Sequence, residues 1–198
     1  MEADGESEYS TCMSSNSNRI LTDILKEQTE ILLKNLDDQI AAADLTAVID
    51  GLPNSRYLFH TIHSLDKNFI NPDTFTEPSF SVCGVAPELS IIDEKRSGCR
   101  PAADITITRG QLSVYASYVR QKTEAYFDTL DDTMLSEKPG SGTFTRLALI
   151  LGQFRHLMWH MGLSSGVTVQ AGKEWPIYSG LYNQEGGQFF GIHYESRN

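Results

Sequence analysis

Gln153-Phe154-Arg155-His156-Leu157-Met158-Trp159-His160-Met161-Gly162 carries two of the chain's five histidines, four residues apart within a run of helical apolar period. On an α-helix that spacing stacks both imidazoles on one face, one turn apart, close enough to share one metal ion. The same run defines the last of four helices, from Thr143 to about Ser165, with Leu147, Ile150, Leu151, Phe154, Leu157, Met158 and Met161 as its apolar stripe. Gly166 reads as its terminator.

Working outward, the spacing of Ile20, Ile24, Ile31, Leu32, Leu36 and Ile40 predicts a first helix over Asn18 to Ala43. Leu45, Val48 and Ile49 in the following link are expected to tuck against its end. Asn54-Ser55 reads as the cap of a second helix running to about Ile70, with Leu58, Ile62, Leu65 and Phe69 facing inward. Asn71-Pro72 stops it, because proline drives the preceding residue out of helical geometry. Residues 72 to about 107 form a long crossover in which Phe80 to Val85 and Ile105 to Ile107 are candidate extended pieces. Thr108-Arg109-Gly110-Gln111 is a capping box that opens a third helix, continued by Leu112, Tyr115, Val119, Tyr126 and Leu130 to about Asp131. The fold class is therefore all-α. The long crossover permits the second and third helices to run the same way, giving an up-down-down-up four-helix bundle.

That topology brings more histidines to the pair. At ~1.5 Å per residue, His60 and His63 lie roughly 9 and 14 Å from the start of the second helix. His160 and His156 lie roughly 8 and 14 Å from the end of the fourth. With these helices antiparallel the levels coincide. Periodicity puts His156 and His160 nearly opposite the stripe of their own helix, and His60 opposite that of the second, so the site is expected in a groove or partly open cavity. Either His60 or His63 can complete it.

Leu58-Phe59-His60-Thr61-Ile62-His63-Ser64-Leu65-Asp66-Lys67-Asn68-Phe69-Ile70-Asn71-Pro72 resembles the second-helix signature of the DinB-like (DNA-damage-inducible) metalloprotein superfamily. Arg155-His156-x3-His160-Met161-Gly162 resembles that family's fourth-helix signature, and the resemblance spans roughly Asn18 to Gly166. It implies the up-down-down-up bundle and a divalent metal held by one histidine of the second helix and two of the fourth. Carried over, the ligands are His60 (with His63 the alternative), His156 and His160, and Asp66 is a candidate to orient an imidazole from behind the ligands. The family's thiol S-transferases and thiol-dependent isomerase imply a small-molecule electrophile and a low-molecular-weight thiol as partners. The resemblance also implies a homodimer. Three neutral imidazoles leave a dication its full charge and an open position, as in catalytic zinc sites. Ligand type does not choose among Zn, Ni, Mn and Fe. The reading from another class is a non-catalytic metal-binding, stress-related bundle.

The remaining sequence bounds these readings. With 198 residues the chain suits one domain. A formal charge of −10 argues against nucleic acid as partner. Cys12, Cys83 and Cys99 make an odd count without CxxC spacing, as free thiols in a reducing compartment do. No stretch approaches the ~18 apolar residues of a membrane span. Met1 to Ser17 is acidic and Ser-rich, and reads as a disordered tail rather than a signal peptide, so a cytoplasmic location is expected. Residues 18–198 form the bundle domain with a C-terminal extension, whose Trp175, Pro176, Tyr178, Phe189 and Phe190 are expected to pack on it. His193 reads as structural or solvated. Gly162-Leu163-Ser164-Ser165-Gly166 spells GxSxG, but a nucleophile elbow needs a strand before the serine. No E-x-x-H of a di-iron bundle occurs.

Overall fold

The computed structural model describes residues 18–93, 98 and 104–180, and the disordered-tail reading, Cys12, Cys99, Phe189, Phe190 and His193 all lie outside them. The described chain is mostly helical, with four main helices packed on one another: α1 (Ile20–Ala42), α2 (Asn54–Asn68), α3 (Arg109–Phe127) and α4 (Arg146–Gln170). None of the described helices is long and apolar enough to cross a membrane.

α2 is the central element. Leu58, Ile62, Leu65 and Phe69 are fully buried, as their spacing predicts, and Phe59 joins them. They meet Leu32, Leu36 and Ile40 of α1, Leu112, Tyr115 and Val119 of α3, and Ile150 and Leu157 of α4 in one apolar cluster. α1 departs from its predicted stripe. Ile20 and Ile24 are more than half-exposed or half-exposed, and Leu25 and Leu33 are buried instead. The first turns are held by polar contacts: Asp132 accepts from the Thr22 backbone N–H and hydroxyl, both at 2.8 Å.

Asn54 and Ser55 are not the cap of α2. Pro53 precedes its first turn without a side-chain cap, and both residues sit buried within that turn. Asn54 Nδ2 donates to the Asp44 carbonyl at 2.9 Å, and the Ser55 hydroxyl accepts from Ile107 N–H at 3.0 Å. Side chains that would cap the helix instead tie it to its neighbours. A two-residue hairpin, β1 (Val48–Ile49) and β2 (Leu52–Pro53), closes the link from α1, and Val48 points out. Its turn puts Asp50 and Gly51 at positive φ (45° and 76°), where glycine at the second position relieves the strain.

The crossover is helical where extended pieces are expected. Ser79–Cys83 makes one turn ended by Gly84 in the left-handed region (φ 71°), and Pro72–Thr74 and Pro87–Ser90 are 3-10 turns. Prolines start each 3-10 turn, having no N–H to leave unpaired. Ile105–Ile107 has no regular structure. The Thr108–Gln111 capping box is formed in both directions.

α4 runs to Gln170, past Gly162 and Gly166, so Gly166 does not end it and the GxSxG stretch is interior helix. Beyond it Trp175 and Tyr178 stay exposed. What docks this segment on α1 is Ser179, whose N–H donates to Asn35 Oδ1 at 2.6 Å while its carbonyl accepts from Asn35 Nδ2 at 2.8 Å.

Burial on the two helices sets a mutational contrast. Ile62→Ala empties core volume and is expected to cost about 2–5 kcal/mol in urea denaturation. Ile24→Ala, on the predicted stripe of α1 but half-exposed, is expected to cost under about 1 kcal/mol.

Candidate metal centre

The apolar period of α4 hides its inner face. Its buried residues are Leu149, Ile150, Gln153, Leu157, His160, Met161, Ser164 and Thr168, half of them polar. These polar groups bond across to α1 and α2. Ser64 Oγ donates to Gln153 Oε1 at 3.4 Å, Gln39 Nε2 to Ser164 Oγ at 2.8 Å, and Asn54 Nδ2 to Thr168 Oγ1 at 3.5 Å. Leu151 and Met158, counted in the stripe, are exposed. His160 therefore points inward, on a polar helix face that packs against α2.

Three imidazoles meet at that contact. His156 Nε2 lies 3.3 Å from His60 Nε2 and 3.1 Å from His160 Nε2. One ligand atom from each of His60, His156 and His160 lies within 4.8 Å of the others, a grouping able to hold a metal ion. Four- to six-coordinate zinc with Zn–N of about 2.0–2.1 Å spaces neighbouring nitrogens by roughly 2.8–3.4 Å, a range that includes both short separations. Of the alternatives in α2, His60 is the one brought to the pair. His63 Nε2 instead faces Glu77 Oε2 at 2.5 Å.

Proton placement supports the same use. A carbonyl only accepts, so His60 Nδ1–H donates to the Ser90 carbonyl at 2.8 Å. In the neutral ring this leaves a lone pair on Nε2, aimed at His156. Burial pushes the His156 pKa down to about 4, with a further push from His60. Burial, then His60 and His156, lower that of His160 to about 3. His60 is also lowered, by burial chiefly, against the opposing pull of the Ser90 carbonyl. All three rings are neutral at pH 7 and hold their Nε2 atoms within reach of one cation. The Nδ1 atoms of His156 and His160 are buried with no partner among the described residues.

The cluster lines a cavity of about 960 Å³ that also takes in His63, Ser64 and Lys67 of α2, Ile91 and Ile92 of the crossover, and Trp159 and Leu163 of α4. The Trp159 indole stacks on His160 (centroids 5.4 Å, 30° between planes) while remaining two-thirds exposed. His63 sits between Phe59 and Phe75, with ring centroids at 6.1 and 5.7 Å. Burial raises the Glu77 carboxyl, but hydrogen bonds from His63 and Ser79 outweigh it and leave the pKa lowered.

Asp66 is committed elsewhere. Its buried carboxylate accepts from Tyr115 Oη at 2.8 Å and Lys122 Nζ at 2.5 Å, and the group behind His60 is the Ser90 carbonyl. Tyr115 is a core residue whose phenol is held protonated by burial and by Asp66. Arg155 is exposed. Cys83 is half-buried, and burial raises its thiol pKa, the opposite of an activated thiolate. Glu77, Ser90 and Trp159 carry no sequence signal of their own. The first two reach the site only through the aperiodic crossover.

No protein-family model matches the chain, and comparison with curated proteins and with solved structures gives no significant match.

The depressed histidine pKa values have a testable consequence in the metal-free protein. Above about pH 6.5 folded and unfolded chains both carry neutral imidazoles, so these groups add no pH dependence. As pH falls below 6.5 the unfolded chain takes up protons that His156 refuses until about pH 4 and His160 until about pH 3. Stability is then lost across that window. Urea midpoints measured from pH 7 to 4 are expected to fall less steeply in His160→Asn than in the parent chain.

Proposed function

We propose that this chain is a metal-dependent enzyme of the DinB-like type, in which His60, His156 and His160 hold a divalent ion used to add a thiol or water to a small electrophile. The observation that carries this is the convergence of the three Nε2 atoms on the wall of a cavity of about 960 Å³. Small-molecule sites span about 300–1,000 Å³.

The up-down-down-up bundle belongs to the same proposal, and the cross-helix contacts support it. Asn54 meets Thr168 and Ser64 meets Gln153, an antiparallel sense for α2 and α4. Lys26 meets Asp128 and Asp37 meets Arg120, again antiparallel for α1 and α3. Ser55 meets Ile107 and Asp66 meets Lys122, a parallel sense for α2 and the chain through α3.

A divalent ion held by His60, His156 and His160 would supply the Lewis acidity that makes a thiol or water nucleophilic near neutral pH. The chain's own residues do the rest. His60, His156 and His160 are uncharged at pH 7, and His60, protonated at Nδ1, presents its Nε2 lone pair. Ile91, Ile92 and Leu163 give the electrophile an apolar wall, and Trp159 gives it a ring face. His63 lines the same cavity with Nε2 committed to Glu77, which leaves Nδ1 as the nitrogen that takes up a proton from the nucleophile. Ser79 N–H, at 2.9 Å from Glu77 Oε1, fixes the carboxylate that orients the ring.

Elemental analysis after reconstitution with Zn, Ni, Mn or Fe(II) tests the ligand set. The parent chain and His63→Gln are expected to retain one ion per chain, while His156→Ala loses it. Retention of metal by His156→Ala contradicts the site. Panels of low-molecular-weight thiols with electrophiles, and of activated esters, test the enzyme. A saturable rate that needs the ion and falls about 10²–10⁴-fold in His63→Gln is expected. Stoichiometric ion binding without turnover in any panel favours the non-catalytic metal-binding module.

A further inference from the structure

Three consecutive carbonyls of the crossover, those of Leu89, Ser90 and Ile91, are read by two side chains of α2. Arg56 Nε donates to the Leu89 carbonyl at 2.6 Å and Arg56 Nη2 to the Ile91 carbonyl at 3.2 Å. Between them His60 Nδ1 donates to the Ser90 carbonyl at 2.8 Å. Arg56 and His60 are four residues apart in α2, so they rise from one helix face a turn apart, as neighbours at about 5–6 Å between Cβ atoms. Both therefore face the Pro87–Ser90 turn, which packs directly on α2.

Arg56 is wholly buried, at 0% exposure. A guanidinium one helix turn from a candidate cation site opposes the ion's charge, so attraction to the ion does not account for its placement. Its planar fork offers donors in fixed directions, which suits two carbonyls that flank a third. A lysine ammonium is a point donor on a flexible stem and does not fix both at once. Fixing the flanking carbonyls fixes the orientation of the peptide between them.

We infer that Arg56 is a positioning residue for the three-histidine site: by clamping Leu89 and Ile91 it holds the Ser90 carbonyl where it selects the Nδ1–H tautomer of His60 and turns the Nε2 lone pair toward His156 and His160. This rests on the metal-site proposal for its purpose, but not for its test. Ligand imidazoles depend on the group bonded to their other nitrogen, and loss of such a partner typically weakens metal binding 10–100-fold. Arg56 acts one bond network further out, on the backbone that supplies that partner. The same clamp holds the backbone of Ile91, which lines the cavity.

The direct test is the tautomer of His60 in ¹⁵N-labelled, metal-free protein, read from long-range ¹H–¹⁵N correlations above pH 7. In the parent chain His60 is expected as one tautomer, protonated at Nδ1. In Arg56→Lys, which keeps the charge but not the fork, a mixture of tautomers is expected, with Zn²⁺ affinity by competition against a chelator reduced about tenfold. In Arg56→Met the loss is expected to be larger. Far-UV circular dichroism and the urea midpoint report folding separately. Should Arg56→Met not fold, Arg56→Lys and the parent spectrum still decide the matter. A parent His60 protonated at Nε2 overturns the inference, as does an Arg56→Lys chain with His60 unchanged in tautomer and affinity. A tautomer that responds to Arg56 in a chain that binds no metal leaves the clamp standing and removes the metal site instead.

Discussion

Convergence of three imidazoles, one buried and two partly buried, with their ring nitrogens facing one another is the constraint around which the rest of the molecule is arranged. Each ring leaves water at least cost when neutral, and the neutral rings bring His156 Nε2 to 3.3 Å from that of His60 and 3.1 Å from that of His160. The fold sustains this with an asymmetric arrangement. His60 is anchored through Nδ1 to a backbone carbonyl, whereas the Nδ1 atoms of His156 and His160 are buried without a described partner. An apolar core of this size has no need of such a cluster. α2 supplies Leu58, Phe59, Ile62 and Leu65 to that core while offering His60, on another side, to α4.

The polar face of α4 explains how the cluster is kept in register. Gln153, Ser164 and Thr168 lie above and below the histidines, and each bonds to α1 or α2. Polar pairs across a buried contact specify one alignment, since a slip of one residue leaves several of them unpaired. The sequence places that face outside the apolar stripe, and so in a groove, because periodicity weighs only hydrophobicity. Leu151 and Met158 are apolar yet exposed, and Ser164 and Thr168 are polar yet fully buried.

Other parts were legible to different degrees for equally specific reasons. The stripe of α2 was readable because the helix is buried on its apolar side, and the capping box at Thr108 because both of its bonds are local. Helix rise placed His60 level with His156 and His160 only by counting from a predicted end at about Ser165; α4 runs on to Gln170, which puts the pair roughly 7 Å deeper from its true end, and the Asn54–Thr168 and Ser64–Gln153 contacts set the level instead. The choice of His60 over His63 was not readable. It depends on Ser90 and Glu77, 30 and 14 residues away from their respective histidines in the aperiodic crossover. Asp66 has the spacing of an orienting carboxylate, but Tyr115 and Lys122 of α3 claim it. Ile20 and Ile24 fit a helical period without burial because Asp132, a polar partner, holds that end of α1.

The most direct measurement of the central claim is a crystal structure of the zinc-reconstituted chain with an anomalous difference map at the metal edge. A single peak bonded to the Nε2 atoms of His60, His156 and His160 at about 2.0–2.1 Å is the predicted result. A map without density among those three rings, or with its peak on His63 and Glu77, contradicts the account.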